Sequence, residues 1–269
     1  MTDEEYYEFI QPYEDAKQML LTRLDVLNHN LYGDASARPI HNIQCRIKKK
    51  QSIEEKLQRK GKEPTVMNAK DYLQDIAGVR VICYFVDDIY NLTELLKSQS
   101  DLIVIKERDY IGNPKPNGYR SYHVIINYPI NSIAGYKEII CEIQIRTLAM
   151  NFWATIEHSL QYKYKTNIPP YVKERLANAA QAIIALDGEM SSVRNEIMNA
   201  QNSSLMQRNL VMDILQNIEN LYQKSNRREV EKIQDEFYRI YETKDLEQLR
   251  RFHSDLDNIT EGYHVQAIK

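Results

Sequence analysis

The stretch Glu138-Ile-Ile-Cys-Glu-Ile-Gln-Ile-Arg146 alternates apolar and polar side chains over most of its length. Because successive side chains of a β-strand point to opposite faces of the sheet, this alternation predicts a strand with one apolar and one polar face. The polar face would carry Glu142, Gln144 and Arg146. Three polar residues in such a row are often merely exposed to water, and the strand alone leaves that alternative open.

A second predicted strand, residues 121–128, makes a ligand site the better interpretation. Ser121 and His123 share one face of this strand, and a loop at residues 112–118 leads into it. The loop contains two prolines and two glycines and therefore cannot form regular secondary structure. Such a loop beside a polar sheet face is typical of the rim and floor of a binding site. The rim would present Lys115, Asn117 and Tyr119.

Residues 46–62 form a strongly basic segment. Eight Lys and Arg residues there outweigh two acids, a net charge of +6 in a chain whose overall charge is −3. We expect residues 40–62 to be mostly helical. A run of charges usually forms a solvated face, but a helical stripe of cations could also bind a polyanion. The stripe would consist of Arg46, Lys48, Ser52, Lys56 and Arg59.

An acidic residue precedes the first long apolar strand. Asp75 begins the segment Asp75-Ile-Ala-Gly-Val-Arg80, where a helix gives way to a strand that we predict at residues 79–86. Carboxylates at a sheet beside a basic stripe suit a magnesium–nucleotide site, because carboxylates bind the metal and cationic groups bind phosphate oxygens. Neither a P-loop nor a G-x-G-x-x-G motif occurs in the sequence, so nucleotide would bind by another architecture.

The order of the elements predicts an α+β fold, a mixed β-sheet flanked by helices with long N- and C-terminal helices. We divide the chain into an N-terminal helical region (1–39), a core (40–165) and a C-terminal helical region (166–269). The further elements that we expect are helices at 4–31, 88–98, 205–222 and 229–259 and a strand at 102–109.

A heptad repeat of apolar residues, here called the seam, runs through the C-terminal region. A seam of four repeats can pack back on its own domain or pair with another chain, and the sequence leaves both alternatives open. Its residues are Val172, Leu176, Ala179, Ile183, Leu186, Met190, Val193, Ile197 and Ala200.

Composition excludes several classes of protein. Hydrophobic residues make up 43% and charged residues 27%, as in ordinary globular proteins, and the net charge of −3 argues against general binding to DNA. The N-terminus lacks the pattern of a secretory signal, and no run approaches the ~18 apolar residues of a membrane span. Cys45, Cys83 and Cys141 are too scattered for a disulfide framework or zinc cluster. We therefore expect a cytoplasmic protein.

Four motifs follow one another between about residues 40 and 200. They are Arg46-Ile-Lys48 with Ser52, Lys56 and Arg59; Asp75-Ile-Ala-Gly-Val-Arg80; Lys115-Pro-Asn-Gly-Tyr-Arg-Ser-Tyr-His123; and Glu142-Ile-Gln-Ile-Arg-Thr-Leu-Ala-Met-Asn-Phe-Trp-Ala-Thr-Ile-Glu-His158. Together they resemble the synthetase domain of the RelA/SpoT family, in its stand-alone small alarmone synthetase form. The resemblance implies a nucleotidyltransferase-like core and an enzyme of the stringent response, a GTP pyrophosphokinase. Such an enzyme transfers pyrophosphate from ATP to the 3′-hydroxyl of GDP or GTP, giving ppGpp or pppGpp and AMP.

The resemblance also assigns roles to residues of this chain. Asp75 and Glu142 would hold Mg²⁺, and Glu142 would help to deprotonate the attacking hydroxyl. Tyr119 would stack on guanine, and Arg46 with Arg80 would sandwich adenine. The other contacts to GDP or GTP would come from Lys115, Asn117, His123, Gln144 and Arg146. The contacts to the ATP phosphates would come from Lys48, Ser52, Lys56 and Arg59.

Partners and alternatives follow from the same resemblance. The sequence contains no His-Asp dipeptide of the family's hydrolase domain, so we expect synthesis only. We expect a homotetramer, with a dimer as the second choice, and a regulatory nucleotide or single-stranded RNA as a further partner. Two alternatives stay open at this point. One is a toxin-like relative that pyrophosphorylates the 3′ end of tRNA, and the other is a non-catalytic RNA-binding or scaffold protein.

Overall fold

The computed structural model describes residues 1–30, 38–132, 135–163, 169–222 and 226–266. Its β-strands are β1 (Ile40–Ile47), β2 (Ala77–Cys83), β3 (Ile103–Asp109), β4 (Tyr122–Ser132) and β5 (Gly135–Thr147). Its first helices are α1 (Asp3–Asn30), α2 (Lys50–Arg59), α3 (Val66–Tyr72) and α4 (Val86–Ser98). The helices after the sheet are α5 (Leu148–Lys163), α6 (Pro170–Tyr222), α7 (Arg227–Thr243) and α8 (Leu246–Gln266). No helix in these described ranges is both long and apolar enough to cross a membrane.

The five strands form one mixed sheet in the order β1-β2-β5-β4-β3. β2 runs parallel to β5, and the other neighbouring pairs are antiparallel. β5 therefore lies in the centre, with β2 on one side and β4 on the other. The predicted α+β class with a mixed sheet is confirmed.

The apolar face of β5 belongs to the main core. Cys141, Ile143 and Ile145 have no exposed surface, as the alternation of the sequence predicts. The long helix α1 packs on the sheet through a strip that includes Leu20 and Leu24, which are also fully buried. The polar face of β5 is thereby the face left for chemistry.

The helical prediction for residues 40–62 is wrong for its first third. Residues 40–47 form strand β1, which pairs antiparallel with β2, and α2 begins only at Lys50. The β-branched residues of this stretch gain more from pairing with a buried strand than from continuing a helix. Arg46 consequently lies on a strand, and Lys48 follows it, so neither residue belongs to a helical stripe. Ser52, Lys56 and Arg59 do share α2.

The chain forms two compact units, Met1–Ser192 and Val193–Lys269. The second unit has its own core, in which Ile214, Phe237 and Leu249 are almost completely buried. The predicted helix 205–222 is the end of the 53-residue helix α6. The predicted helix 229–259 is divided between α7 and α8 by Lys244, whose backbone is left-handed with φ 56°. The functional division at residues 39 and 165 stays a prediction.

The middle of the seam is exposed. Leu186 is 49% exposed and Met190 45% within the first unit, and Ile197 is 53% exposed within the second. Nearer the start of α6, Leu176 and Ile183 are half-buried. The choice between pairing with another chain and packing within this one stays a prediction.

Gly118 provides a test of how closely α6 supports the loop at residues 112–118. Its φ is +87°, and a methyl group there would lie 2.6 Å from the Ala180 Cβ on α6. Gly61 has a similar φ of +69° but open space around it. We predict that Gly61→Ala lowers the free energy of unfolding by about 1–2 kcal/mol, the usual penalty for a left-handed residue. Gly118→Ala should cost about 1–3 kcal/mol more because of the clash. Urea unfolding of both variants measures the difference, and equal losses would contradict the close packing.

Candidate active site

A cleft of about 560 Å³ opens on the polar face of the sheet. It brings together most of the residues that the sequence proposed for a site. From the β1–β2 side and α2 come Arg46, Lys56, Asp75 and Arg80. From the loop and β4 come Lys115, Asn117, Tyr119 and His123. From β5 come Glu142, Gln144 and Arg146.

Arg146 anchors the floor of the cleft. It is only 4% exposed, and a buried guanidinium requires hydrogen-bond partners. Its Nη2 donates to the Tyr119 hydroxyl at 2.6 Å and to Gln144 Oε1 at 2.9 Å. Its Nε donates to Ser121 Oγ at 3.2 Å. These bonds fix the Tyr119 hydroxyl directly above β5.

Glu142 ends a chain of hydrogen bonds that starts at Arg146. The Tyr119 hydroxyl lies 2.8 Å from His123 Nε2, and His123 Nδ1 lies 3.0 Å from Glu142 Oε1. An ionised carboxylate only accepts hydrogen bonds, so His123 Nδ1–H donates to Glu142. In a neutral imidazole, Nε2 then accepts from the Tyr119 hydroxyl. The donors then run in one direction, from Arg146 through Tyr119 and His123 to Glu142.

The surroundings of Glu142 keep it ionised. Burial alone would raise the pKa of this carboxyl, but hydrogen bonds from His123 and from Gln144 Nε2, at 2.8 Å, outweigh burial. The pKa therefore lies below its usual value of 4.5. Glu142 is a buried, negatively charged acceptor at neutral pH, which is the state required to bind a cation or take a proton.

Asp75 is the second carboxylate of the cleft, and two lysines share one of its oxygens. Lys48 Nζ and Lys56 Nζ each lie 2.7 Å from Asp75 Oδ2. Burial would raise the pKa of Asp75, but the two ammonium groups reverse this and hold the pKa below 3.8. Burial, together with the neighbouring cations Lys56 and Arg46, lowers the pKa of Lys48 despite its contact with Asp75. The backbone N–H of Lys48 donates to Ile76 at 2.9 Å, which holds the end of β1 beside Asp75.

The two carboxylates fit the requirements of magnesium. Asp75 Oδ1 is buried and has no hydrogen-bond partner among the described residues. Within the same residues no group of three or more His, Cys, Asp and Glu could hold a metal ion. Mg²⁺ typically uses one or two carboxylates and takes its other ligands from water and phosphates. The free oxygen of Asp75, together with Glu142 in the same cleft, matches this pattern.

Arg46 and Arg80 line a smaller pocket of about 140 Å³ that β1, β2 and β5 share, and Gly78 and Glu142 line it too. Burial and the neighbouring guanidinium groups of Arg146 and Arg46 lower the pKa of Arg80. A ligand that places an aromatic face or a negative charge between these cations would relieve their repulsion. This geometry is compatible with Arg46 and Arg80 lying on either side of a nucleobase, which stays a prediction.

The loop at residues 112–118 is folded against both the sheet and α5. A turn is closed by the Gly118 N–H, which donates to the Lys115 carbonyl at 2.8 Å. Lys115 Nζ lies 4.6 Å from the centre of the Tyr119 ring, and Arg146 lies 5.0 Å from the same centre. Asn117 Nδ2 donates to Glu157 Oε1 on α5 at 2.9 Å. A base that stacks on Tyr119 would replace one of these two cations.

Three predicted residues do not line the cleft. Lys48 reaches it only through Asp75. Ser52 and Arg59 lie on α2 one turn to either side of Lys56, and Arg59 is exposed with its Nε 3.4 Å from the Glu55 carbonyl. Their roles as phosphate ligands stay predictions.

The sequence reasoning missed other residues that line the cleft. Arg108 lies on β3 directly opposite His123, and Tyr110 follows the same strand. Arg108 could have been predicted as the residue opposite His123, but only if the register between β3 and β4 had been known. The helix α5 contributes Ala154, Thr155, Glu157 and His158. Trp153 of α5 is buried, and its Nε1 donates to the Leu176 carbonyl of α6 at 3.0 Å.

Comparisons with known proteins agree with this geometry. Residues 45–167 match the model of a region found in RelA/SpoT proteins. The chain is 44% identical over 201 residues to GTP pyrophosphokinase YjbM of Bacillus subtilis, covering 75% of this chain and 94% of the relative. It is 40% identical over 185 residues to GTP pyrophosphokinase YwaC of the same organism, covering 69% and 88%.

The chain is also similar to solved structures of small alarmone synthetases. The crystal structure of small alarmone synthetase 1 from Bacillus subtilis bound to its product pppGpp has a TM-score of 0.68 and 44% identity, covering 72% of this chain and 99% of the other. The structure of that enzyme bound to AMPCPP has a TM-score of 0.62 and 41% identity, covering 73% and 99%. The chain therefore belongs to the RelA/SpoT family and resembles its small alarmone synthetases throughout the region that carries the cleft.

Proposed function

We propose that the chain is a GTP pyrophosphokinase that makes ppGpp from GDP and pppGpp from GTP, with ATP as the donor. The 3′-oxygen of the acceptor forms a bond to the β-phosphorus of ATP. The bond between that phosphorus and the oxygen bridging to the α-phosphorus breaks, and AMP leaves. One observation carries the proposal: a carboxylate held by two lysines and a Tyr–His–Glu chain face the same cleft. The GTP pyrophosphokinases among its relatives support it.

The acceptor nucleotide would bind at the Tyr119 side of the cleft. The Tyr119 ring offers a stacking face, and Lys115 offers a cation for phosphate. Glu142 lies in the floor as an ionised acceptor, and His123 holds it in place at 3.0 Å. Glu142 therefore accepts the proton of the 3′-hydroxyl as the new bond forms.

The donor nucleotide would bind over the Asp75 side, with its base between Arg46 and Arg80. Lys48 and Lys56 already point to one place, because both contact Asp75 Oδ2. Triphosphate oxygens compete for these ammonium groups and free Asp75. Mg²⁺ bound by Asp75 and Glu142 would neutralise charge on the transferred phosphates. Phosphoryl-type transfer depends chiefly on such positioning and charge neutralisation.

The alternatives are not favoured. The relatives that match most of this chain are GTP pyrophosphokinases rather than enzymes that modify tRNA. A non-catalytic scaffold would have no need of a buried, ionised Glu142 and a half-buried Asp75 held by two lysines in one cleft. Synthesis without hydrolysis is consistent with the sequence, which lacks the His-Asp dipeptide.

Location and further partners belong to the same proposal. All three cysteines are free thiols, and burial raises the pKa of Cys141 to about 12, which keeps it protonated. Free thiols suit the reducing cytoplasm, where ATP and guanine nucleotides are found. A regulatory nucleotide or single-stranded RNA stays a prediction.

Glu142→Gln should abolish synthesis, because the amide neither binds the metal as an anion nor accepts the proton. Loss of more than about tenfold, corresponding to ~1.4 kcal/mol of transition-state stabilisation, is expected. Thin-layer chromatography after incubation with labelled ATP and GDP or GTP measures it, and tRNA as acceptor tests the alternative. Glu138→Gln is the matched control, since Glu138 lies exposed on the same face of β5. Retention of more than a tenth of the activity by Glu142→Gln would contradict the assignment.

Tyr119→Ala should weaken acceptor use about 5- to 150-fold, because base–aromatic stacking contributes roughly 1–3 kcal/mol. Tyr119→Phe keeps the ring but loses the hydroxyl that links Arg146 to His123. We expect its KM for GDP to change little and its kcat to fall, since His123 then loses a partner. Steady-state kinetics with varied GDP separate the two effects. Equal increases in KM for both variants would show that the hydroxyl, not the ring, binds the acceptor.

We also propose that the protein forms a homotetramer, or failing that a dimer, through the exposed seam. Closed homo-oligomers commonly cover a self-complementary apolar stripe. Light scattering after gel filtration should give a multiple of the chain mass, and a mass near 31.7 kDa across micromolar concentrations would exclude assembly. Leu186→Asp should dissociate the oligomer, whereas Ser192→Asp, exposed on the same helix but off the seam, should not.

A further inference from the structure

The start of helix α2 needs hydrogen-bond partners from outside the helix. α2 begins at Lys50, and Lys49 is its N-cap residue. An N-cap side chain usually accepts a hydrogen bond from a free N–H group of the first turn, but an ammonium group can only donate. The positive charges of both lysines also oppose the helix dipole, whose N-terminal end is positive. The local sequence therefore does not stabilise this end of α2.

Tyr6 of helix α1 lies at this end of α2. Its hydroxyl donates a hydrogen bond to the Lys48 carbonyl, directly before the N-cap residue, at 3.1 Å. Burial raises the pKa of the Tyr6 phenol, and a hydrogen bond from the backbone of Lys50 opposes this rise. Asp3, one turn before Tyr6 on α1, accepts from Lys50 Nζ at 2.6 Å. One turn of α1 thus holds the chain on both sides of the N-cap residue.

The backbone of Lys48 connects this contact to the donor side of the cleft. Its N–H donates to the Ile76 carbonyl at 2.9 Å, while its carbonyl accepts from Tyr6. Its side-chain nitrogen lies 2.7 Å from Asp75 Oδ2. Both backbone groups of Lys48 are therefore engaged, and its ammonium group points to the place where the phosphates of ATP would bind.

The remainder of α2 is anchored independently of Tyr6. Ile53 and Leu57 have no exposed surface and belong to the main core. Lys56 lies between them on the same helix. Removal of the Tyr6 hydroxyl should therefore loosen residues 48–52 but leave the rest of α2, with Lys56, in place.

We propose that Tyr6 is a positioning residue for the donor nucleotide. Its hydroxyl fixes Lys48 and the first turn of α2, which carries Ser52, before ATP binds. This inference rests on the proposed function, in which the triphosphate of ATP lies over Asp75. Because the contacts of Tyr6 belong to the donor side of the cleft, its hydroxyl should affect the affinity for ATP and spare the affinity for GDP. A residue needed only for folding would affect both nucleotides alike.

The experiment uses Tyr6→Phe, which keeps the ring and removes only the hydroxyl. Steady-state kinetics with ATP and GDP varied in turn give kcat and both KM values. Calorimetry with Mg²⁺ and AMPCPP, an ATP analogue that cannot transfer pyrophosphate, gives a dissociation constant. The KM for ATP and the Kd of AMPCPP should rise about 3- to 10-fold, as expected for the net contribution of a hydrogen bond. The KM for GDP and kcat should stay within about twofold, because bound phosphates hold the loosened segment once ATP saturates the site.

Tyr7→Phe is the matched control. Its ring is 69% exposed and lies 5.7 Å from the Tyr6 ring, so loss of its hydroxyl should change neither KM nor the Kd.

Two results would overturn the inference. One is a Tyr6→Phe protein whose KM for ATP and Kd for AMPCPP equal those of the unchanged protein. The other is an equal rise in KM for ATP and for GDP, which would show a general structural role. Failure of the proposed function is distinguishable from both, because the unchanged protein would then transfer no pyrophosphate to GDP.

Discussion

The burial of opposite charges on one face of β5 is the constraint on which the rest of the site depends. Glu142 and Arg146 are both nearly inaccessible to water, and an unpaired buried charge would cost several kcal/mol. Gln144 on the same strand contacts both, and each also finds partners outside its own strand. Arg146 takes Tyr119 and Ser121, and Glu142 takes His123. Because these partners lie on or just before β4, pairing the charges also fixes the loop that rims the cleft.

The parallel pairing of β2 with β5 adds the second half of the site. In this pairing Gly78 lies beside Glu142 and Arg80 beside Gln144. Asp75 comes two residues before the start of β2, so it lies close to Glu142. Lys48 and Lys56 lower the pKa of Asp75 despite its burial. The cations that would hold phosphate are thus assembled before any nucleotide arrives. Such preorganisation reduces the reorganisation needed in the reaction.

The sequence predicts those parts of the site that follow from strand alternation. Alternation of side chains between the two faces of a strand was enough to predict the polar face of β5 and the face that Ser121 and His123 share. β1 was missed because closely spaced cations resemble a helical stripe, whereas its strand state depends on pairing with β2. Glu157 was missed because its contact with Asn117 joins residues 40 positions apart. No local pattern reports a tertiary contact of that kind.

Glu142 is held ionised by the residues that surround it in the cleft. A ¹³C NMR titration of the ligand-free protein, with the Glu142 carboxyl signal assigned by comparison with Glu142→Gln, tests it directly. Since its pKa lies below the ordinary 4.5, the carboxyl should still be more than half ionised when the pH has been lowered from 7 to 4.5. A carboxyl that is mostly protonated before the pH reaches 4.5 would contradict the account.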